Sequence, residues 1–312
     1  MTEPTVDVSI IIVSWNVADL LKACLESITA HASSTRTIEV IVVDSASADH
    51  TVEMVRTHFP HVILLPQAEN VGFTRGNNIG LGAARGRYLF LLNPDTMLLD
   101  DTAHALAAYL DATPTVGIAG PRTLNTDRSY QSTRRRFPTL ALELRESLWL
   151  APHLFDLPPS HFALDNPPPD ATHLVDWVQG SAMMLRREVY DQIGGMDEGF
   201  FMFSEEVDWC KRAADQGWKI AYVGSTSIIH HGGKSTEQAT ARSHIHYQTS
   251  KIRYFRKHHG AARANLLRLY ILLNYRIQWI IESVKGALGH KRELRQKRRE
   301  TYHEVLRSGL RG

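Results

Sequence analysis

Four short stretches of the sequence bring together carboxylates, amides and imidazoles at spacings that could do chemistry. In LFLLNPDTMLL, residues 89–99, a core-quality apolar run stops at Asn93-Pro94-Asp95 and then resumes. Asn, Pro and Asp all favour turns, so a tight turn is one reading. The other is a ligand-binding edge, with Asp95 and the Asn93 amide as hard oxygen ligands for Mg²⁺ or Mn²⁺ shared with phosphate. Asp44 in IVVDSASADHT stands at the end of another apolar run. Its carboxylate could accept the ring N–H of a uracil or thymine, or cap the turn that follows through Ser45 and Ser47.

FFMFSEEVDWCKR places Glu205, Glu206 and Asp208 directly after aromatic residues. A carboxylate held against apolar rings has its charged form disfavoured, and the raised pKa suits a general base near neutral pH. The same acids would also suit the first turn of a helix capped by Ser204. SIIHHGGKS closes an apolar run with His230 and His231, followed by two glycines that permit close backbone approach to a phosphate and by Lys234 as a point charge.

These residues must be carried on regular elements. Val8–Ser14 and Ile38–Asp44 are continuous apolar runs, as parallel strands buried on both faces require. A helix after Asn16 has Leu20, Leu21, Cys24, Leu25 and Ile28 at helical spacing. A second helix is expected over VEMVRTHF, then a short strand Val62–Leu65, the loop ENVGFTRGNN, and a small-residue helix ending near Gly86. Strand Arg87–Leu92, a helix near Thr102–Leu110 and strand Val116–Ala119 follow. Beyond a looser stretch at 120–175, strands are expected at 182–185 and Trp218–Val223. The β-α-β-α order predicts a twisted, mostly parallel sheet, whose ligands sit beyond the carboxyl ends of the strands. Asn16, Asp44 and Asn93–Asp95 all fall at such ends. A dinucleotide-binding reading fails, because the first strand runs into SWNVADLL with no glycine-rich turn.

The chain has 312 residues and a formal net charge of +2, which conceals an asymmetry. From Lys251 onward there are 16 Lys and Arg against 4 Asp and Glu, on an otherwise acidic body. Two cysteines in apolar segments fit no disulfide framework and point to a reducing compartment. The N-terminal MTEPTVDVSIIIVSWN lacks a basic stretch before its apolar run and reads as a first strand. Leu266, Tyr270, Leu273, Ile277, Ile280, Val284 and Leu288 form one helical stripe, and Arg268, Arg276, Gln278, Glu282 and Lys285 lie off it, polar and charged residues that argue against a membrane span. An amphipathic helix fits, lying on a membrane or packed on another helix. KRELRQKRRE at 291–300 has no interleaved aromatics, which argues against a nucleic-acid groove.

Taken in order, SIIIVSWN, VVDSASADHT, NVGFTRGNN, FLLNPDT, WVQGSAMMLRREVYDQIGGMDEGFF, SEEVDWCKR and IIHHGGKS resemble a family 2 glycosyltransferase of GT-A fold, in the bacterial rhamnosyltransferase-type branch. The resemblance covers roughly residues 7 to 235. It implies an α/β fold with a Rossmann-like, mostly parallel sheet flanked by helices, whereas the C-terminal helical basic tail lies outside it and is read from its own residues. The expected divisions are a catalytic domain at 1–250, with a nucleotide-sugar half to about 118 and an acceptor half from 119, and a tail at 251–312.

The resemblance also implies roles. Asp44 matches the aspartate that contacts the nucleobase, with Ser14, Asn16, Ser45, Asn70, Gly72, Phe73, Arg75 and Asn78 along the donor. Asn93-Pro94-Asp95 stands where the family's metal-binding DxD motif stands, with Asn93 replacing the first aspartate. His230 or His231 completes the metal site. Glu206 falls on the general base, with Glu205 in reserve and Asp208 the third acid of the group. Gly180 and Ser181, with Asp197 and Glu198, shape the acceptor and sugar pocket.

The activity so implied is metal-dependent, inverting transfer of a sugar, L-rhamnose from dTDP-rhamnose first, from a nucleoside-diphosphate sugar. The acceptor would be a hydroxyl of a glycan or a polyprenyl-diphosphate-linked glycan in cell-wall or O-antigen biosynthesis. The expected setting is cytoplasmic, peripheral on the inner membrane through the basic tail, with a homo-oligomer as a further option and no nucleic-acid partner. The alternatives are a nucleotidyltransferase on a similar fold and a nucleic-acid-binding protein acting through the tail.

Overall fold

The computed structural model describes residues 6–31, 35–131, 133–146, 168–232, 240–289 and 291–311. In chain order the first elements are β1 (Val8–Ser14), α1 (Ala18–His31), β2 (Ile38–Asp44), α2 (Thr51–His58), β3 (Ile63–Pro66), α3 (Gly72–Ala83), β4 (Tyr88–Leu92), β5 (Thr96–Leu98) and α4 (Thr102–Ala112). There follow β6 (Val116–Leu124), β7 (Tyr130–Gln131), β8 (Arg134–Arg135), α5 (Leu140–Glu146), β9 (His173–Val175), β10 (Trp177–Val178), β11 (Ala182–Arg186), α6 (Arg187–Ile193), α7 (Glu205–Asp215) and β12 (Lys219–His230). Three helices close the chain: α8 (Thr240–His259), α9 (Ala261–Ala287) and α10 (Arg292–Ser308).

The strands order as β3-β2-β1-β4-β11-β6-β12-β5. β1, β2, β3 and β4 are parallel, in register from Val8 opposite Ile38 to Ser14 opposite Asp44. β11 is antiparallel to both β4 and β6, whereas β12 is parallel to β6. The carboxyl ends of β1, β2, β4 and β12 therefore share one edge, and the amino end of β11 joins them there.

Both sheet faces are covered, which explains why the central strands carry apolar residues pointing to both faces. One layer packs Leu21, Leu25, Met54, Leu106 and Leu110 from α1, α2 and α4 onto Ile10, Ile12, Val42 and Phe90. The other packs Leu81, Val189, Trp209 and Cys210 from α3, α6 and α7 onto Ile11, Ile41, Leu89 and Met183.

α3 differs from the sequence expectation, because most of the supposed loop ENVGFTRGNN is its first half. Its glycines permit close packing on the sheet. A Cβ at Gly76 would meet Val13 Cγ1 at 2.7 Å, and one at Gly80 would meet Ile11 Cγ2 at 2.4 Å. A second difference is that the expected strand Trp218–Val223 and the run before His230 form one strand, β12, with an irregular register between Val223 and Ser227.

The chain divides into two compact units. The first holds the sheet and its helices. The second draws on the described parts of 138–161, 202–204 and 236–312. α8 runs through position 250, so the boundary expected there falls inside a helix, and α5 joins the second unit. There α9 packs against α8 and α10. Tyr270 donates its hydroxyl to the Leu144 carbonyl of α5 at 2.8 Å, and Glu282 holds Arg295 through bonds of 2.7 and 2.8 Å.

Candidate active site

Asp44 ends β2 with its two carboxylate oxygens in different situations. Oδ2 accepts the Ser47 backbone N–H at 3.0 Å, whereas Oδ1 is buried with no hydrogen-bond partner. Turn capping and ligand binding are thus compatible. Burying such an acceptor unpaired costs roughly 1–3 kcal/mol, a cost that a donor placed at Oδ1 would relieve. Asn93 Oδ1, Ser14 Oγ, Ser181 Oγ, Thr74 Oγ1 and Glu205 Oε2 are buried and unpartnered in the same way among the described residues. Ser14 lies opposite Asp44, and Asn93 N–H donates to the Ser181 carbonyl at 2.9 Å. The residues carrying four of these orphan oxygens, Ser14, Asp44, Asn93 and Ser181, therefore meet at the carboxyl edge of the sheet. Thr74 carries little signal in the sequence, a lone hydroxyl among glycines that favour a loop.

Several residues expected along the donor brace the loops of that edge. Asn16 adopts a left-handed backbone, φ 53°, as does Ala46 at 57°. Asn16 Oδ1 accepts Ala48 N–H at 2.7 Å, while its own N–H donates to Ser47 Oγ at 2.9 Å, tying the loops after β1 and β2 together. Ser45 Oγ donates to Asn70 Oδ1 at 3.1 Å and accepts Val71 N–H at 2.9 Å. Asn70 Oδ1 also accepts Gly72 N–H at 3.0 Å, which fixes the entry to α3. Gly72, at φ +76°, packs so closely on Phe201 that a Cβ would come within 2.8 Å of its ring. Phe73 is half-buried on α3. Arg75 is exposed, 3.7 Å from Glu69.

Asn78 has a different task. Its Nδ2 donates to the Met196 carbonyl at 2.9 Å and to Glu198 Oε1 at 3.0 Å, and its Oδ1 accepts Met196 N–H at 2.8 Å. The side chain clamps the loop of Asp197 and Glu198 onto α3, and Asp197 Oδ1 closes that loop on Gly199 N–H.

Asp95 and His230 form a buried pair. β5 and β12 place Thr96 opposite His230, and His230 Nε2 sits 3.4 Å from Asp95 Oδ1 with both side chains buried. His230 Nδ1 lies 2.9 Å from Gln131 Oε1, which orients the ring. His231 turns elsewhere. Its N–H donates to the Asp95 carbonyl, and its ring Nδ1 pairs with Thr126 Oγ1 at 3.0 Å. Lys234 lies outside the described residues.

No group of three His, Cys, Asp or Glu able to hold a metal occurs among the described residues. Asp95, His230 and the unpartnered Asn93 oxygen nonetheless fit a cation that takes its other ligands from a diphosphate and water. Cys24 lies behind this turn, 3.7 Å from the Asn93 carbonyl. Burial, with the Asp95 charge adding to it against Thr96 hydrogen bonds, pushes its thiol up to about 12, so it stays neutral.

The acids of α7 separate by environment. Glu205 is buried, and desolvation together with the neighbouring Glu206 raises its pKa well above the carboxylate range. Glu206 is partly open and faces Gly180, where an added Cβ would sit 3.5 Å from its own. Asp208 is buried in an ion pair with Arg212 at 2.9 Å. Arg212 also donates to the Ile193 and Gly195 carbonyls, so Asp208 props the loop before Asp197. Phe203 and Ser204 both have left-handed backbones, φ 69° and 64°, whereas an N-cap is ordinarily extended.

The mostly parallel sheet flanked by helices has the architecture of the GT-A glycosyltransferases. Residues 9–210 match Glycosyl transferase family 2, and the chain belongs to that family. An N-acetylglucosaminyl-diphospho-decaprenol L-rhamnosyltransferase of Mycobacterium tuberculosis is 29% identical over 244 residues, 74% of this chain and 79% of that one. The rhamnosyltransferase WbbL of Escherichia coli is 23% identical, covering 84% of this chain and 97% of that one. Among solved structures, a Pyrobaculum calidifontis mannosyltransferase in complex with GDP-Man and Mn²⁺ shares the fold with a TM-score of 0.58. Its identity is 18%, over 98% of this chain and 88% of that one. The protein is thus a glycosyltransferase with rhamnosyltransferase relatives, and neither the nucleotidyltransferase nor the nucleic-acid alternative is favoured.

Proposed function

We propose that this enzyme transfers L-rhamnose from dTDP-rhamnose, with inversion, to a hydroxyl of a polyprenyl-diphosphate-linked glycan at a membrane surface. The observation that carries the proposal is the row of buried, unpartnered oxygens along the edge where Asp95 meets His230. Such a row is costly unless a polar ligand completes it. The rhamnosyl donor and the lipid-linked acceptor are supported by what the relatives' names say of those proteins.

In this mechanism Asp44 Oδ1 accepts the thymine ring N–H and Ser14 Oγ and Thr74 Oγ1 complete the donor's polar contacts. Glu206 takes the proton of the acceptor hydroxyl, whose oxygen attacks the anomeric carbon as the bond to the diphosphate breaks. Attack from the face opposite the leaving group inverts the configuration. Burial of Glu205 disfavours its charged form, which opposes a second negative charge beside the base. Asp95 and His230 would hold a divalent cation, which would supply charge neutralisation for the departing diphosphate. The Asn78 clamp and the Asp208–Arg212 pair hold Asp197 and Glu198 in position, with Gly180 leaving room beside Glu206.

A thermal-shift screen of dTDP-, UDP- and GDP-sugars with Mn²⁺ tests the reading. Stabilisation by dTDP-rhamnose above the others is expected. Indifference to every nucleotide sugar would contradict it.

A further inference from the structure

Among the described residues, the apolar stripe of α9 is left exposed. α9 buries Ala264, Leu267, Ile271, Asn274 and Tyr275 against its neighbours. At about 100° per residue these lie across the helix from the stripe that runs from Leu266 to Leu288. Leu273, Ile277, Ile280 and Val284 in that stripe are each between 44% and 57% exposed, and Leu288 is 79% exposed. A continuous row of aliphatic side chains some 30 Å long, at 1.5 Å per residue, exceeds the scattered apolar exposure of ordinary surfaces. Arg263 and Arg276 are exposed and flank it. The only acid of the helix, Glu282, is buried against Arg295.

We infer that this face of α9 docks in the plane of an anionic lipid bilayer. Charge selects that occupant. From Lys251 onward the chain has 16 basic and 4 acidic residues, so two copies meeting here would bring like charges together, whereas an anionic leaflet attracts them. No helix among the described residues is long and apolar enough to cross a membrane, so the contact is interfacial. The inference deepens the proposed reading by naming the second unit's partner and the residues that meet it.

Flotation of the intact protein with phosphatidylglycerol-rich and with phosphatidylcholine vesicles tests it, alongside its mass by light scattering. Neither donor nor acceptor is present, so failure here leaves the sugar-transfer reading standing, and the reverse also holds. The expected result is binding to anionic vesicles that weakens with salt and falls on the order of tenfold or more in Leu273→Glu/Ile277→Glu/Ile280→Glu. Arg263→Glu/Arg276→Glu should lose the anionic preference. An unchanged circular dichroism spectrum and melting point would show that the variants are folded. Equal flotation of wild type and the triple variant would overturn the inference. So would a wild-type dimer that fails to float and becomes monomeric in the triple variant.

Discussion

His230 Nε2 stands 3.4 Å from Asp95 Oδ1, held there by a strand pairing in which Thr96 lies opposite His230. The chain reaches this pair from positions far apart in sequence, so the short strand β5 after Asn-Pro-Asp makes the site possible. Replacing either residue by Ala should lower turnover roughly 10²-fold or more, as losing a group that stabilises developing charge does. Mn²⁺-dependent stabilisation by donor in a melting assay should also disappear. His231→Ala, whose ring pairs with Thr126, should retain most of both.

Asp44 should decide the base. Asp44→Asn replaces an acceptor with a group that also donates, and affinity for dTDP should fall by about 1–3 kcal/mol, the cost of one unsatisfied buried partner. Calorimetry with dTDP and with GDP checks this, because the loss should fall on the pyrimidine nucleotide.

The acid pair gives a pH prediction. Glu205 has a folded-state pKa above its ordinary value of 4.5, so it contributes fully to stability below that value. That contribution drains away as pH rises towards the raised pKa. Melting temperature measured against pH should therefore decline more steeply above about 4.5 in wild type than in Glu205→Gln. Parallel curves would remove Glu205 from the account.

Asn78→Ala should uncouple the loop of Asp197 and Glu198 from α3. Three hydrogen bonds are lost and the Met196 N–H is left without its acceptor, so stability should fall by about 1–3 kcal/mol. In steady-state kinetics the acceptor KM should rise while donor affinity stays near wild type.

β1, β2 and β4 were legible in the sequence because a strand buried on both faces is an unbroken apolar run. Asp44 and Asp95 were legible because each ends such a run. α3 was not, since Gly72, Gly76 and Gly80 read as turn residues until Val13 and Ile11 are seen pressed against two of them. The choice of His230 over His231 was equally hidden, being fixed by the pairing of β5 with β12 rather than by local spacing. Asp208 looked equivalent to its neighbours until Arg212 claimed it. The stripe of α9 was read correctly as one face, but only packing shows that it is the exposed one.

Glu206 is the proposed base for inverting transfer from dTDP-rhamnose. The most direct measurement follows product formation with dTDP-rhamnose and a short-chain polyprenyl-diphosphate acceptor, in wild type and Glu206→Gln, with the anomeric configuration read by NMR. The account predicts an inverted rhamnoside and a kcat reduced by about 10²–10⁴ with donor affinity retained. A retained configuration, or a Glu206→Gln enzyme that turns over like wild type, would contradict it.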